Sequence, residues 1–173
     1  IALPSMLEIL TRNYAYHNKS VKLYELAKIY LPVEGQVLPE EPKMLLLGTY
    51  GANENFFTLK GELEAIFAGL RLKKASYAAV KNNPSYHPGR CAAVSIDGME
   101  VGVIGQVHPL VAKNYGIDCE VYCAEINFTL LSQLQLPDAT YVPLPKYPTT
   151  TRDLAIICDE AVTVAQAEDV ITE

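Results

Sequence analysis

The chain has 173 residues, 50% of them hydrophobic and 20% charged, with a formal net charge of −6. That suffices for one well-filled core, or one core and part of a second. No run of about 18 apolar residues occurs, which excludes a transmembrane helix. The acidic balance weighs against a surface that holds nucleic acid through phosphate neutralisation alone. The four cysteines, Cys91, Cys119, Cys123 and Cys158, are too scattered for the disulfide framework of a small secreted domain and predict a reduced, cytoplasmic chain. Ile1-Ala2-Leu3-Pro4-Ser5 shows neither an initiator Met nor a secretory leader pattern, so the chain is expected to begin mid-sequence.

Ser5-Met6-Leu7-Glu8 has the S-x-x-E form of a capping box and predicts the start of a helix. Met6, Leu7, Leu10 and Tyr14 then share one face, and the helix is expected to end near His17-Asn18. Val21 to Leu31 is rich in Val, Leu, Tyr and Ile before Pro32 and predicts a strand. Residues 32–42, with Pro32, Gly35, Pro39 and Pro42, predict a loop, and Met44 to Leu47 a buried strand. Leu59, Leu63, Ile66, Phe67 and Leu70 repeat at helical spacing, with Lys60, Glu62 and Glu64 opposite.

Asp97-Gly98 is the strongest local signal, because both central positions of a type I′ turn need positive φ and this dipeptide tolerates it. Cys91 to Ile96 and Met99 to Val107 are therefore predicted to pair antiparallel. Pro109 opens a short helix with Leu110, Val111 and Tyr115 inward and Gly116 as its stop. Val121 to Phe128 predicts a strand, and Leu130 to Leu134 a helical turn or two. Pro137, Pro143, Pro145 and Pro148 crowd a stretch without periodicity, the composition of a linker. Beyond it, Leu154 to Cys158 predicts a strand, and Thr163-Val164-Ala165-Gln166 a second capping box. One strand and half a helix bury too little to fold alone, so the last part is expected to begin a domain that continues elsewhere. The order of elements predicts an α+β fold with an antiparallel sheet.

Few residues suit chemistry. His87, followed by Pro88, Gly89, Arg90 and Cys91, suggests a Cys/His pair, but His-Pro-Gly-Arg reads better as a tight turn with the imidazole capping a carbonyl. Cys119, Cys123, His87 and His108 are possible zinc ligands, yet the two cysteines point the same way from one strand and are better read as buried thiols. Gly102-Val103-Ile104-Gly105 lies inside a strand and marks close backbone packing or a bulge rather than a phosphate cradle. Glu125, in an apolar strand, is a candidate acid or base, weighed against a solvent-facing carboxylate or one paired with Lys or Arg across the sheet. Arg152-Asp153 opens the last predicted strand and suits either a phosphate contact or an ion pair.

Several segments, in order, carry a resemblance. Pro4-Ser5-Met6-Leu7-Glu8, Asn13 and Val21-Lys22-Leu23-Tyr24-Glu25-Leu26 are similar to the opening of the synthetase-like core in the β subunit of bacterial-type phenylalanine-tRNA ligases. Phe56-Phe57-Thr58-Leu59-Lys60-Gly61 resembles that family's FFDLKG segment. His87-Pro88-Gly89-Arg90 and Gly102 to Pro109 resemble its HPGR and G-x-x-G-x-x-HP segments. Tyr147-Pro148-Thr149-Thr150-Thr151-Arg152-Asp153-Leu154-Ala155 resembles the YPSxxRDLA start of its ferredoxin-like anticodon-binding domain. One departure is the short stretch between Gly48 and Phe56, where many members carry a longer, Trp-containing segment.

The resemblance implies a core over residues 1–136 like the class II aminoacyl-tRNA synthetase catalytic domain, an antiparallel sheet flanked by helices without activity of its own. It implies a proline-rich linker over 137–145 and a truncated ferredoxin-like domain over 146–173. Class II chemistry sets Arg side chains against ATP, and the four arginines here, Arg12, Arg71, Arg90 and Arg152, follow no matching glycine set. No catalytic, cofactor-binding or metal-ligating residue is expected in this chain; His87 to Arg90 are expected to be structural and Arg152 to contact tRNA. The whole ligase would join phenylalanine to tRNA with ATP and magnesium, as an α2β2 heterotetramer in which the α subunit carries the catalytic motifs, away from membranes. The alternative is a free-standing small α+β enzyme using His87 and Glu125.

Overall fold

Helix α1 (Leu3–Ala15) starts with Pro4 in its first turn, where a missing N–H costs nothing. The expected Ser5 capping box does not form: Ala2 is the N-cap, with no side-chain cap. Ser5 lies inside the helix and its Oγ donates to Glu25 Oε2 at 3.3 Å. The free N–H groups of Ala2 and Leu3 are taken instead by a remote carboxylate, described below. The computed structural model describes residues 2–134, 141 and 143–172. The chain divides into two units, Ile1–Asp138 and Ala139–Glu173.

The first unit is built on a six-stranded, wholly antiparallel sheet. Its strands are β1 (Val21–Lys28), β2 (Lys43–Tyr50), β3 (Ser76–Ala79), β4 (Tyr86–Ile96), β5 (Met99–Val107) and β6 (Val121–Asn127), in the order β1-β2-β6-β5-β4-β3. The β4–β5 hairpin turns at Asp97 and Gly98, with φ of 53° and 76°, the pair of positive values that a type I′ turn demands. Strand β3 was not expected; its four residues are too short for period-two alternation to stand out.

Because side chains alternate across a strand, the sheet has two core faces. On the first, Leu46, Tyr50, Cys91, Val107, Val121 and Cys123 pack under Leu3, Met6, Leu7 and Leu10 of α1, together with Ala112 of α3 (Pro109–Asn114). Leu110, expected inward, is 66% exposed, and Ala112 takes the buried position two residues on. On the second face, Leu45, Leu47, Val94, Ile96, Ile104 and Ala124 pack under Leu59, Leu63 and Phe67 of α2 (Phe56–Gly69) and Leu131 of α4 (Phe128–Leu131). Helix α2 starts earlier than the hydrophobic period suggests. Asn55 Oδ1 accepts from the N–H of Phe57 and Thr58 at 2.8 and 3.0 Å, and Thr58 Oγ1 accepts from Asn55 N–H at 2.9 Å, a full capping box.

The second unit contains helix α5 (Val164–Thr172). The predicted capping box opens it: Gln166 N–H donates to Thr163 Oγ1 at 3.3 Å, and Thr163 N–H to Gln166 Oε1 at 2.8 Å. The strand predicted over Leu154 to Cys158 is absent, since these residues are irregular. A strand is stabilised by a ladder to a neighbour, and no strand among the described residues of this unit offers one. The predicted core end at Leu136 and linker start at Pro137 lie outside the described residues.

Candidate functional site

Helix α2 covers the second face only from Phe56 onward, so one end of that face is left open. There lies a cleft of about 710 Å³, floored by the sheet and flanked by the start of α2. Its walls are Phe56 and Phe57 of α2, Tyr77 and Ala79 of β3, Ala92 of β4 and Tyr122 of β6. A polar group crosses the floor. Arg90 Nη1 donates to Gln106 Oε1 at 2.8 Å and to Glu120 Oε1 at 2.9 Å, while Tyr122 O–H donates to Glu120 Oε2. Register explains the convergence: Gln106 pairs with Tyr122 across β5 and β6, and Arg90 and Glu120 precede Ala92 and Tyr122 by two residues on the same face.

The electrostatics follow from these bonds. The Tyr122 hydroxyl, then Arg90, stabilises the Glu120 carboxylate and holds it below its ordinary range. Burial, then the adjoining carboxylate, pushes the Tyr122 phenol up to about 12. Glu120 in turn holds the Arg90 guanidinium more firmly protonated. A carboxylate with a depressed folded pKa contributes stability that is present above its unfolded value and lost as pH falls through the folded one. Acidification below about pH 4.5 is therefore expected to lower the urea midpoint more in the parent chain than in Glu120→Gln. Parallel pH curves for the two proteins would show that the Glu120 contacts contribute nothing.

Glu125 has a different position, on the first face. Its Oε2 accepts from the N–H of Ala2 and Leu3 at 3.2 and 3.1 Å, and its Oε1 accepts from the Tyr86 hydroxyl at 3.1 Å. It is thus the N-terminal cap of α1, supplied from more than 120 residues away, with no Lys or Arg seen to pair with it among the described residues. Negative charge at a helix start also complements the helix dipole. Glu125→Ala is expected to cost about 1–3 kcal/mol by leaving these donors unsatisfied, and Glu125→Gln less. Urea unfolding followed by circular dichroism measures both; equal stability of Ala and parent would refute the capping role.

His87 is not brought to Glu125. The residue that reaches the carboxylate is its neighbour Tyr86, and His87 Nδ1 accepts the N–H of Gly89 at 3.0 Å. His87 to Arg90 do not form the expected reversing turn: they lie within β4, where the pairing shifts register between Tyr86 and Cys91. Gly89 has no positive φ, and the imidazole accepts a backbone N–H rather than capping a carbonyl. The extra residues are absorbed by a bulge, which keeps the strand running in one direction. Gly102 and Gly105 fit the expected close packing: a Cβ on them would stand 2.0 Å from Glu125 O and 2.8 Å from Arg90 O.

Cys91 and Cys123 are buried, and desolvation pushes the Cys91 thiol up to about 11 and the Cys123 thiol higher still. Cys119 lies before β6, not in it. Among the described residues, no cluster of His, Cys, Asp and Glu is placed to hold a metal ion. Arg152 is exposed and donates from Nη1 to the Thr151 carbonyl at 3.5 Å. No helix among the described residues is long and apolar enough to cross a membrane.

Residues 1–128 match the family model of the phenylalanyl tRNA synthetase beta chain CLM domain. The chain belongs to this family. Phenylalanine–tRNA ligase beta subunits resemble it over nearly its whole length: that of Clostridium acetobutylicum is 40% identical over 170 residues, 98% of this chain, and that of Clostridium tetani 38% over 170 residues. The β subunit of Symbiobacterium thermophilum is 35% identical over 182 residues. The chain spans about 21% of the length of the two Clostridium relatives. Among solved structures, the pyrrolysyl tRNA synthetase PylSc of Desulfitobacterium hafniense superposes with a TM-score of 0.58 over 77% of this chain and 49% of its own, at 14% identity. At that identity the likeness is one of fold. The beta chain CLM domain thus shares its sheet with a synthetase, while the free-standing enzyme built on His87 and Glu125 finds no support.

No local motif marks the cleft's Tyr77, Glu120 and Tyr122, and Phe57 stands out only as part of the family segment over Phe56 to Gly61. Strand alternation puts Glu120 and Tyr122 on one face, but their meeting with Arg90 and Gln106 depends on strand order.

Proposed function

We propose that this chain is the synthetase-like, non-catalytic core of a phenylalanine-tRNA ligase β subunit, over residues 1–136, followed by a linker over 137–145 and the start of an RNA-recognising domain from 146. In this reading the fold is that of a class II catalytic domain turned to scaffolding. The core packs against an α subunit in an α2β2 assembly. The α subunit holds ATP, magnesium and the phenylalanine to be joined to tRNA, and the enzyme works in the cytoplasm. Arg152 begins the part of the chain that approaches tRNA, and His87 to Arg90 serve the fold rather than the reaction.

One observation carries the reading. Among the described residues, the open cleft on the synthetase-like sheet is lined by a single arginine, Arg90, and its charge is already met by Glu120 at 2.9 Å. Phosphoryl and adenylyl chemistry needs uncommitted cations where charge develops on phosphate. A cleft with its cation neutralised from its own sheet does not supply them.

Light scattering of the full-length β subunit mixed with the α subunit tests the scaffold role. A mass near that of two α and two β chains is expected. Persistence of separate subunits at micromolar concentration would refute it.

A further inference from the structure

Phe57 is 76% exposed, although it belongs to the first turn of a well-capped helix. Its neighbour Phe56 packs against the second core cluster, with the two rings edge-to-face at 5.6 Å. Phe57 has no such role and stands instead on the wall of the cleft. An exposed aromatic ring beside an apolar cavity of this size is what a planar ligand requires for stacking.

The cleft floor adds an edge. Glu120 accepts from Arg90 at Oε1 and from Tyr122 at Oε2, with Gln106 also close, and its half-exposed carboxylate, with about four lone-pair sites, keeps acceptor capacity towards the cleft. Both Arg90 bonds leave from Nη1, whereas the guanidinium carries five N–H donors in a fixed fork. The cleft therefore presents an acceptor and a donor side by side, next to an aromatic face. Of the described residues lining it, Arg90 and Glu120 alone are charged, and they cancel.

We propose that this cleft binds a neutral guanine-type base, stacked on Phe57. The ring N–H and exocyclic amine donate to Glu120, and the ring carbonyl accepts from Arg90. The same carboxylate–guanidinium edge disfavours adenine, which has a ring acceptor where guanine has a donor. The cancelled charge points to a free base or nucleoside rather than a nucleotide or an RNA strand, because nothing on the walls is left to neutralise phosphate. Such binding is a property of the cleft in the first unit and stands apart from the ligase reading.

Titration calorimetry on the full-length β subunit, without the α subunit whose ATP site would itself take adenosine, tests this with guanosine, adenosine and GMP. Guanosine is expected to bind, adenosine at least about 10-fold more weakly, and GMP no more tightly than guanosine. Phe57→Ala, a change at an exposed site that leaves folding intact by circular dichroism, is expected to weaken guanosine about 10-fold. Glu120→Gln is expected to erase the preference over adenosine. The proposal is overturned by any of three results: no guanosine binding up to millimolar concentration, binding unchanged in Phe57→Ala, or equal affinity for adenosine. GMP binding more than about 10-fold tighter than guanosine overturns it too, by revealing a phosphate site.

Discussion

Gly102→Ala is expected to destabilise the first unit by more than about 4 kcal/mol, the range reserved for changes that force backbone apart. The added Cβ would stand 2.0 Å from the carbonyl oxygen of Glu125 and 2.9 Å from Cα of Ile126. Both are backbone atoms of the neighbouring strand, so no rotamer change relieves the clash. Relief requires β5 and β6 to part at the Gly102–Ile126 pair, in the middle of the sheet. The same step would shift Glu125 and loosen the cap of α1. Gly61→Ala is the matched control: nothing lies within 4 Å of its added Cβ, and in the interior of α2 alanine gains up to about 1 kcal/mol over glycine. Urea denaturation of the two variants separates the effects, and a Gly102→Ala midpoint close to the parent's would contradict the strand spacing.

Leu63→Ala is expected to cost about 2–5 kcal/mol, as for other leucines removed from closed cores. Leu63 is 0% exposed and sits between Leu59 and Phe67 on the buried stripe of α2. The loss is a large part of the 5–15 kcal/mol or so that holds a typical domain together. It would fall on the second face, so α2 and the cleft beside it should loosen before α1. Hydrogen exchange checks this: amides of α2 should lose protection in Leu63→Ala while those of α1 keep theirs. Uniform loss across both helices would mean that the two faces unfold as one.

What could be seen in the sequence was whatever is set locally. Asp97-Gly98 determines its hairpin because only a few residues accept two positive φ values in succession. The stripe Leu59, Leu63, Phe67 determines α2, and Thr163 with Gln166 determines the start of α5. What was hidden was set by distant partners. Ser5 and Glu8 have the spacing of a capping box, yet Glu125 does the capping through the sheet. His87 to Gly89 have the residues of a turn, yet pairing with β5 holds them in a strand. Leu154 to Cys158 have the residues of a strand, yet they are irregular and Ile157 stands fully exposed. The cleft is the extreme case, drawing Arg90 from β4, Tyr122 from β6 and Glu120 from the residue before β6, with β5 between the two strands. Family resemblance reached the synthetase-like sheet of the first unit, because ordered segments along the chain report strand order as well as local structure.

On the proposed function, this chain contributes a synthetase sheet and the α subunit the reacting site. The most direct measurement is the number of phenylalanyl-adenylates formed per αβ pair by the assembled enzyme, counted from the burst of ATP consumed with phenylalanine and without tRNA. The α subunit alone should account for the burst, giving one adenylate per αβ pair. Two per pair would place a second working site on the β chain and contradict the assignment.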